Sequence, residues 1–480
     1  MKKNKTMRNF PLGLVALAWV FQQVIVNSAD AAQDKNSYLY EVTGNFDLGE
    51  IEQQVQASGG QLLACIAQVG ICKVSYPSVD VAKHSGLELV PNVAASLPHT
   101  QHFAFTAEMQ SQLANYVEPP FSSDDDFFFD VQWGHKSVGA VESWNKGYRG
   151  AGVTVAVLDS GGDAGHPDLI DNINAELSTS FVANESWDYM GQSNFNHGSH
   201  VAGTIAAADN GYGVIGIAPE AELIIVKVLS ADTTSGDTFG IMQGIVYAAD
   251  LGVDLINMSI VQFLRRNGYV DVNDTLADKS DDVRWEAGGN KGMARYINQY
   301  AKVVNYARHK GVTIIAAAGN AAFNYDTTDN LLSLPASLPG VLAISALAPR
   351  LWGKDSNSST DFLASYSNYG QSTIDLSGPG GDYIMENLPG GSDSCTVGVL
   401  SLPCFFFDMV FSTSGYNGWA WSAGTSMAAP HVTGVAALIL NANGGKMKPA
   451  QLEAQLRKLA EDLGKPGNDD IYGIGKVKAP

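Results

Sequence analysis

Hydrophobic and polar residues alternate in two ways along the chain, and each pattern predicts a different unit. In the first, short apolar runs at residues 38–42, 62–66 and 71–76 are separated by polar stretches at 48–57 and 79–86. The apolar runs are typical of strands, and the polar stretches have the spacing of surface helices. Residues 38–93 are therefore predicted to form a small α+β domain.

The second pattern starts near residue 150 and consists of longer, continuously apolar runs with helical stretches between them. The predicted strands are 153–158, 223–228, 254–258, 312–316 and 341–345, and the predicted helices include 239–250, 293–308 and 428–440. Strands that are apolar on both faces indicate a parallel sheet covered by helices on both sides, an α/β fold of three layers. Functional sites in such sheets lie beyond the carboxyl ends of the strands, and Asp159 directly follows the first strand.

Between these units, residues 94–130 have the composition of a linker. Pro119-Pro120 is followed by the acidic run Asp124-Asp-Asp126. A proteolytic processing site is expected between about residues 110 and 130.

The first 31 residues are typical of an export signal. Lys2, Lys3 and Arg8 precede an apolar stretch at residues 12–26, and Ala29-Asp-Ala31 supplies small residues for cleavage. The alternative is a retained membrane anchor, but Gln22-Gln23 interrupts a short apolar run. The mature protein is predicted to be secreted, extracellular or periplasmic, and free of the membrane.

The charge of the 480-residue chain narrows the possible partners. A net charge of −20 argues against nucleic acid, because phosphate contacts need clustered Lys and Arg. The charge fits a solvated acidic surface, and adaptation to high salt is the alternative.

Four cysteines permit three pairings, and two local pairs are the simplest. Cys65 and Cys72 flank a turn between two predicted strands, and Cys395 and Cys404 bracket a short loop. An exported protein is expected to form both disulfides, whereas buried free thiols are the alternative.

Three segments carry candidate chemistry. Ser426, in Gly424-Thr-Ser-Met-Ala-Ala-Pro-His431, stands at the entry to a predicted buried helix. A hydroxyl needs a general base to become a nucleophile, and the base needs an orienting acid. Asp159 ends an apolar strand, and His197 opens the segment His197-Gly-Ser-His-Val-Ala-Gly-Thr204.

These segments, with Ala316-Ala-Ala-Gly-Asn320 between the histidine and the serine, resemble the subtilisin-like serine proteases over most of residues 129–480. The order Asp, His, Ser is the order known from subtilisin. The resemblance implies a catalytic domain at 129–480 with the subtilisin-like three-layer fold. It also implies that Ser426 is the nucleophile, His197 the general base, Asp159 its orienting acid and Asn320 an oxyanion-hole donor.

The resemblance further implies that an extended peptide binds as an added strand. The matching substrate-binding positions are Gly236, Ser259, Ile260, Val261, Ala317, Ala318 and Gly319. The family commonly has glycines after this serine and its following apolar residue, where this chain has Val261-Gln262. A narrower pocket is therefore expected, with a preference for a small or medium apolar residue before the cut.

By the same resemblance, residues 32–128 form a propeptide whose domain at 38–93, followed by the linker, acts as an intramolecular inhibitor. The enzyme is expected to be a monomer acting on protein or peptide substrates. No catalytic cofactor is expected.

A structural Ca²⁺ is also implied, because two segments align without gaps to calcium-binding segments of the family. The matching ligands are Asp168, Ala208, Asn210, Tyr212 and Val214. The alternative is a turn that binds no metal.

The sequence thus predicts a secreted serine endopeptidase, made as an autoinhibited precursor and acting through an acyl-enzyme. Two alternatives remain: a dedicated processing peptidase of narrow specificity, and an inactive peptide-binding relative.

Overall fold

The structure is a computed structural model that describes residues 36–106, 109, 126–270, 283–284, 289–328 and 330–480. The predicted signal segment at 1–31 and most of the window predicted to contain the processing site lie outside these residues.

The strands and helices are numbered in chain order. The strands are β1 Ser37–Glu41, β2 Gln61–Ile66, β3 Ile71–Ser75, β4 Leu89–Pro91, β5 Ala94–Ser96, β6 Gln101–Ala104, β7 Thr154–Asp159, β8 Thr179–Ser180, β9 Glu222–Lys227, β10 Ser235–Asp237, β11 Leu255–Met258, β12 Gln262–Arg265, β13 Tyr269–Val270, β14 Val283–Arg284, β15 Thr313–Ala317, β16 Leu331–Leu334, β17 Val341–Ala348, β18 Phe362–Leu363, β19 Leu376–Pro379, β20 Ser394–Val397, β21 Leu400–Pro403, β22 Val410–Thr413 and β23 Trp419–Ala423. The α-helices are α1 Leu48–Ala57, α2 Val79–His84, α3 Trp133–Val138, α4 Ala140–Asn145, α5 His197–Ala206, α6 Thr238–Leu251, α7 Gly289–His309, α8 Thr425–Ala442 and α9 Pro449–Leu459. Short 3-10 helices span Phe129–Val131, Ile384–Asn387 and Cys404–Asp408.

The central sheet has the strand order β18-β17-β15-β11-β7-β9-β8, and β19 also pairs with β17. All of these pairs are parallel except β17 with β18. The predicted α/β fold with a central parallel sheet is confirmed, and each predicted strand lies within a few residues of an observed one.

Helices cover both faces of this sheet because alternate strand residues point to opposite sides. Val155 and Val157 of β7 belong to the hydrophobic core that contains α5 and α8. Ala156 and Leu158 belong to the core that contains α6 and α7. β7 is thus buried on both faces, which is why its sequence is continuously apolar.

Helix α8 is the central helix of the first core. Its 18 residues begin at Thr425, and all residues through Leu440 are buried. Small residues permit this burial: a Cβ on Gly434 would lie 2.5 Å from Cβ of Ile217. No helix within the described ranges is long and apolar enough to cross a bilayer.

The N-terminal unit, residues 37–91, is an antiparallel sheet of order β2-β3-β1-β4 with α1 and α2. The side chain of Asp47 caps α1 by accepting the Glu50 N–H at 3.0 Å. Tyr38 and Tyr40 of β1 pack in the unit's own core, whereas Leu39 between them packs in the core of α6 and α7. The unit is therefore docked on the larger domain through one face of its sheet.

Both predicted disulfides are present: Cys65–Cys72 joins the neighbouring strands β2 and β3, and Cys395–Cys404 closes the hairpin β20–β21.

In the described part of the region predicted as a linker, the structure has the strands β5 and β6. β5 pairs with β10, and β6 pairs with β23, far along the chain in both cases. Their sequences contain too few apolar residues to predict strands. Each strand is instead stabilised by pairing with a distant partner strand.

Candidate active site

Asp159 is the last residue of β7, and its carboxylate is fully buried. Oδ1 accepts hydrogen bonds from the N–H and the hydroxyl of Ser160, at 2.7 and 3.1 Å. The Nδ1 atom of His197 lies 2.9 Å from Oδ1 and 3.0 Å from Oδ2. A buried carboxylate is tolerated where such donors compensate for lost water, so Asp159 fixes the imidazole with Nδ1–H toward the acid.

His197 is the first residue of α5, and its backbone is held in place by the helix cap. The Asn196 side chain accepts the Ser199 N–H and the Ser199 hydroxyl, at 2.7 and 2.6 Å. The Ser199 hydroxyl oxygen in turn accepts the Asp163 N–H at 2.8 Å, which ties α5 to the loop after β7. With Nδ1 engaged, Nε2 of His197 is buried and has no hydrogen-bond partner among the residues that the structure describes.

Ser426 is the second residue of α8 and is buried. Its hydroxyl donates to the Ser259 carbonyl at 3.3 Å, and the Ser259 hydroxyl donates to the Ser426 carbonyl at 2.8 Å. Since His197 Nε2 has no partner, the two predicted catalytic groups do not share a hydrogen bond in this structure.

Helix α5 is nonetheless tied to the strands that lead to Ser426. His200 Nε2 lies 3.1 Å from the Ala420 carbonyl of β23, and Thr413 donates to the Ser199 carbonyl at 2.7 Å. β23 runs directly into α8, so the helix that begins with His197 lies beside the strand that ends before Ser426.

Asn320 follows β15, and its amide is oriented by the residue before Ser426. Its Oδ1 accepts the N–H and the hydroxyl of Thr425, at 2.9 and 2.7 Å. Its Nδ2 is therefore turned outward, where it donates to the His99 carbonyl at 2.7 Å. Thr425 also accepts the N–H of Gly319, whose φ of +106° favours glycine. Sequence reasoning missed this role of Thr425.

Two of the predicted substrate-binding positions, Gly236 and Val261, flank β5 on opposite sides, so that β5 occupies the cleft between them. Gly236 of β10 is opposite Ala95, and Val261 exchanges two hydrogen bonds of 3.0 Å with Ser96. Ile260, Ala317 and Ala318 are fully buried, so their side chains are not exposed in this cleft.

His102 is a further residue that the motifs did not identify. Its ring stacks on Phe195 with centroids 4.0 Å apart, and Phe195 lies 6.4 Å from the His197 ring. Only the spatial pairing of β6 with β23 could reveal it.

The predicted calcium residues lie together around Asp168. Its Oδ2 accepts the Val214 N–H at 3.0 Å and the Trp419 Nε1–H at 2.9 Å, whereas its buried Oδ1 has no hydrogen-bond partner within the described ranges. Burial raises the pKa of the Asp168 carboxyl to about 7. The backbone N–H groups of Gly211 and Tyr212 donate to Asp126, a residue that the sequence analysis assigned to the linker.

The other buried histidines belong to the core. Burial lowers the pKa of His200 and of His431 to about 3, and that of His135 to about 4, so all are neutral near pH 7. Within the described part of the chain there is no cluster of three or more His, Cys, Asp or Glu residues that could hold a metal.

Comparison with solved structures gives the same fold. The epidermin leader peptide processing serine protease of Staphylococcus aureus has a TM-score of 0.67 at 18% identity, covering 92% of this chain and 96% of that one. Fervidolysin from Fervidobacterium pennivorans, a keratinolytic enzyme related to subtilisin, has a TM-score of 0.63 at 21% identity. The match covers 94% of this chain and 61% of that longer chain.

Sequence comparison identifies the family. Subtilisin NAT from Bacillus subtilis subsp. natto is 34% identical over 348 residues, which cover 72% of this chain and 70% of that protein. Subtilisin from Bacillus pumilus is also 34% identical, over 72% of this chain and 96% of that protein. The profile of the subtilase family matches residues 150–475. The chain therefore belongs to the subtilase family of serine peptidases, which are hydrolases that need no catalytic cofactor.

Proposed function

We propose that this protein is a secreted serine endopeptidase, made as a precursor that its own N-terminal unit inhibits. The observation that carries the proposal is the pairing of a buried Asp159 with His197 Nδ1, which leaves Nε2 without a hydrogen-bond partner among the described residues. An imidazole held in that tautomer can accept the proton of a serine hydroxyl.

In the proposed mechanism, Ser426 Oγ attacks the peptide carbonyl while His197 Nε2 takes its proton. Asp159 stabilises the imidazolium that results, and the Nδ2–H of Asn320 donates to the oxyanion. His197 then protonates the leaving amine. In the second half of the reaction, water attacks the acyl-enzyme while His197 takes its proton, and His197 returns the proton to Ser426 Oγ as the ester bond breaks. For the first step, the Ser426 hydroxyl must leave the Ser259 carbonyl and donate to His197 Nε2.

Two features support the autoinhibited precursor. The N-terminal unit docks on the larger domain, with Lys73 2.6 Å from Asp237 and Lys302 2.8 Å from Glu41. β5, which follows it, lies in the cleft between β10 and Val261. A substrate strand would need the same main-chain hydrogen bonds, so the two compete for one position. We assign residues 1–31 to the export signal, 32–128 to the propeptide and 129–480 to a monomeric catalytic domain.

A dedicated processing peptidase is the second candidate, and the cleft wall favours it. Ile260 and Val261 are buried, and Val261 stands where the family commonly has glycine. Side chains at such positions reduce the space for a substrate residue, which narrows specificity.

A structural Ca²⁺ at Asp168 is part of the proposal. The residues fit in part: the buried Oδ1 lacks a partner, and the raised pKa marks a carboxyl without a compensating charge. Ala208, Asn210, Tyr212 and Val214 would supply further oxygens, and a bound cation would stabilise the fold around this loop.

Replacing Ser426 by alanine should abolish hydrolysis and leave the purified precursor uncut, because the attacking oxygen is gone. Gel analysis and labelling by an organophosphonate probe measure both effects. Ser377→Ala is a suitable control, since Ser377 is a buried serine of β19 that the mechanism does not use. Normal maturation of Ser426→Ala, purified alone, would mean that another protease makes the cut.

Replacing Asn320 by alanine should lower kcat by roughly 10²- to 10³-fold with little change in KM, the loss known for the equivalent asparagine of subtilisin. Asn357→Ala, in an exposed loop, should retain full activity. Steady-state kinetics on a peptide substrate measures both variants. An Asn320→Ala enzyme with unchanged kcat would remove this residue from the mechanism.

A peptide set that varies the residue before the cut tests the cleft. Peptides with Ala, Val or Leu at that position should have higher kcat/KM than peptides with Phe or Tyr, because Val261 replaces a glycine. Digestion of unfolded casein in parallel separates a general protease from a processing enzyme. A strong preference for aromatic residues would contradict the narrow pocket.

Removal of calcium by a chelator should lower the melting temperature of the Ser426→Ala protein, and Asp168→Asn should lose this dependence. Asp209→Asn is the matched control, because Asp209 lies in the same loop but pairs with Arg149. If a chelator leaves the melting temperature of the Ser426→Ala protein unchanged, the metal site is absent.

A further inference from the structure

The chain after the N-terminal unit passes through the active site in the manner of a bound substrate. Ala94–Ser96 pairs antiparallel with Ser235–Asp237, and Ser96 bonds to Val261 on its other side. Leu97 then donates its N–H to the Thr234 carbonyl at 3.0 Å. These contacts align the main chain in the cleft before it reaches Ser426.

The carbonyl that reaches the proposed oxyanion donor is that of His99. Asn320 Nδ2 donates to it at 2.7 Å, and the Asn320 amide is itself held by Thr425. A donor that forms a hydrogen bond with one carbonyl oxygen polarises that carbonyl and makes its carbon more electrophilic. Pro98, the residue before His99, has no N–H to donate. The Ser259 carbonyl accepts its hydrogen bond from the Ser426 hydroxyl.

The chain on the other side of His99 is held by the strand that leads into α8. Gln101 is opposite Ala423 in the pairing of β6 with β23. Thr100 crosses directly over Gly424, where a Cβ would lie 2.8 Å from Thr100 Cγ2. The absence of a side chain at Gly424 therefore leaves room for the Thr100 side chain two residues before Ser426.

Aromatic residues anchor this second side. Phe103 packs on Phe406 with ring centroids 4.9 Å apart, and Phe105 packs on Phe128 and Phe411 at 5.2 and 5.9 Å. Anchors on both sides of His99 and Thr100 limit how far the chain can slide, which holds one peptide bond at the site.

We propose that the enzyme makes the first cut in its own precursor at the His99–Thr100 bond. This inference rests on the proposed function. Ser426 Oγ forms an ester with the His99 carbonyl carbon, and its proton passes through His197 to the Thr100 nitrogen as the peptide bond breaks. Water then hydrolyses the ester, which releases the His99 carboxylate and restores Ser426.

This bond lies upstream of the window of about 110–130 that the linker composition suggested. His99 is also larger and more polar than the residue expected at the cut. Its side chain is exposed, so the main-chain contacts hold the bond in place without a side-chain pocket. A bond in the same molecule needs little pocket affinity, because its local concentration is high.

The test follows the wild-type full chain over time, with samples stopped in acid and analysed by intact mass and N-terminal sequencing. The first two fragments should be one that ends at His99 and one that begins at Thr100. The half-life of the precursor should not depend on protein concentration, because the cut is intramolecular. Thr100→Pro should slow this cut by roughly tenfold or more, since proline restricts the preceding residue and changes the leaving nitrogen. Thr106→Ala, just beyond β6, should leave the rate unchanged.

An active enzyme whose first cut falls elsewhere, including Pro98–His99 or the window 110–130, overturns this inference but leaves the proposed function intact. A protein that cuts neither itself nor any peptide, and that no organophosphonate labels, overturns both. Equal rates for Thr100→Pro and the wild type would also overturn the assignment of this bond.

Discussion

A carboxylate without access to water, at the end of the central strand, is the interaction on which the site depends. Asp159 has no exposed surface, so its charge must be balanced by donors that the fold supplies. Ser160 and His197 supply them, and this requirement fixes the imidazole in one tautomer. The strand itself cannot shift, because β7 is paired on both sides, with β11 and β9.

The remaining groups converge because parallel strands end at the same edge. In the order β15-β11-β7, three neighbouring strands are followed by Asn320, Ser259 and Asp159. Helix α8 brings Ser426 to this edge, where Ser259 and Thr425 tie the helix start to the loops after β11 and β15. Each candidate group is thus held by backbone that the buried core makes rigid.

The central fold was predictable because a buried parallel strand is indicated by a local sequence pattern, a continuous apolar run such as that of β7. The candidate residues Asp159, His197 and Ser426 were named from short motifs that resemble a known family, and the two disulfides from the short spacing of their cysteines. Strands β5 and β6 could not, because their partners lie more than a hundred residues away and their own sequences are weakly apolar. Thr425, His102 and Asp126 were missed for the same reason, since their contacts exist only in the folded chain.

The docking face of the N-terminal unit has a consequence for the cleaved protein that the proposed function requires. If the connecting chain is broken as proposed, apolar contacts such as those of Leu39 remain, together with ion pairs at the rim that are partly open to solvent. Coulomb attraction between such groups weakens as ionic strength rises, whereas apolar contacts do not. The salinity of the surroundings would then govern how long the severed unit lingers on the enzyme, which dissociation rates measured across a sodium chloride series would reveal or refute.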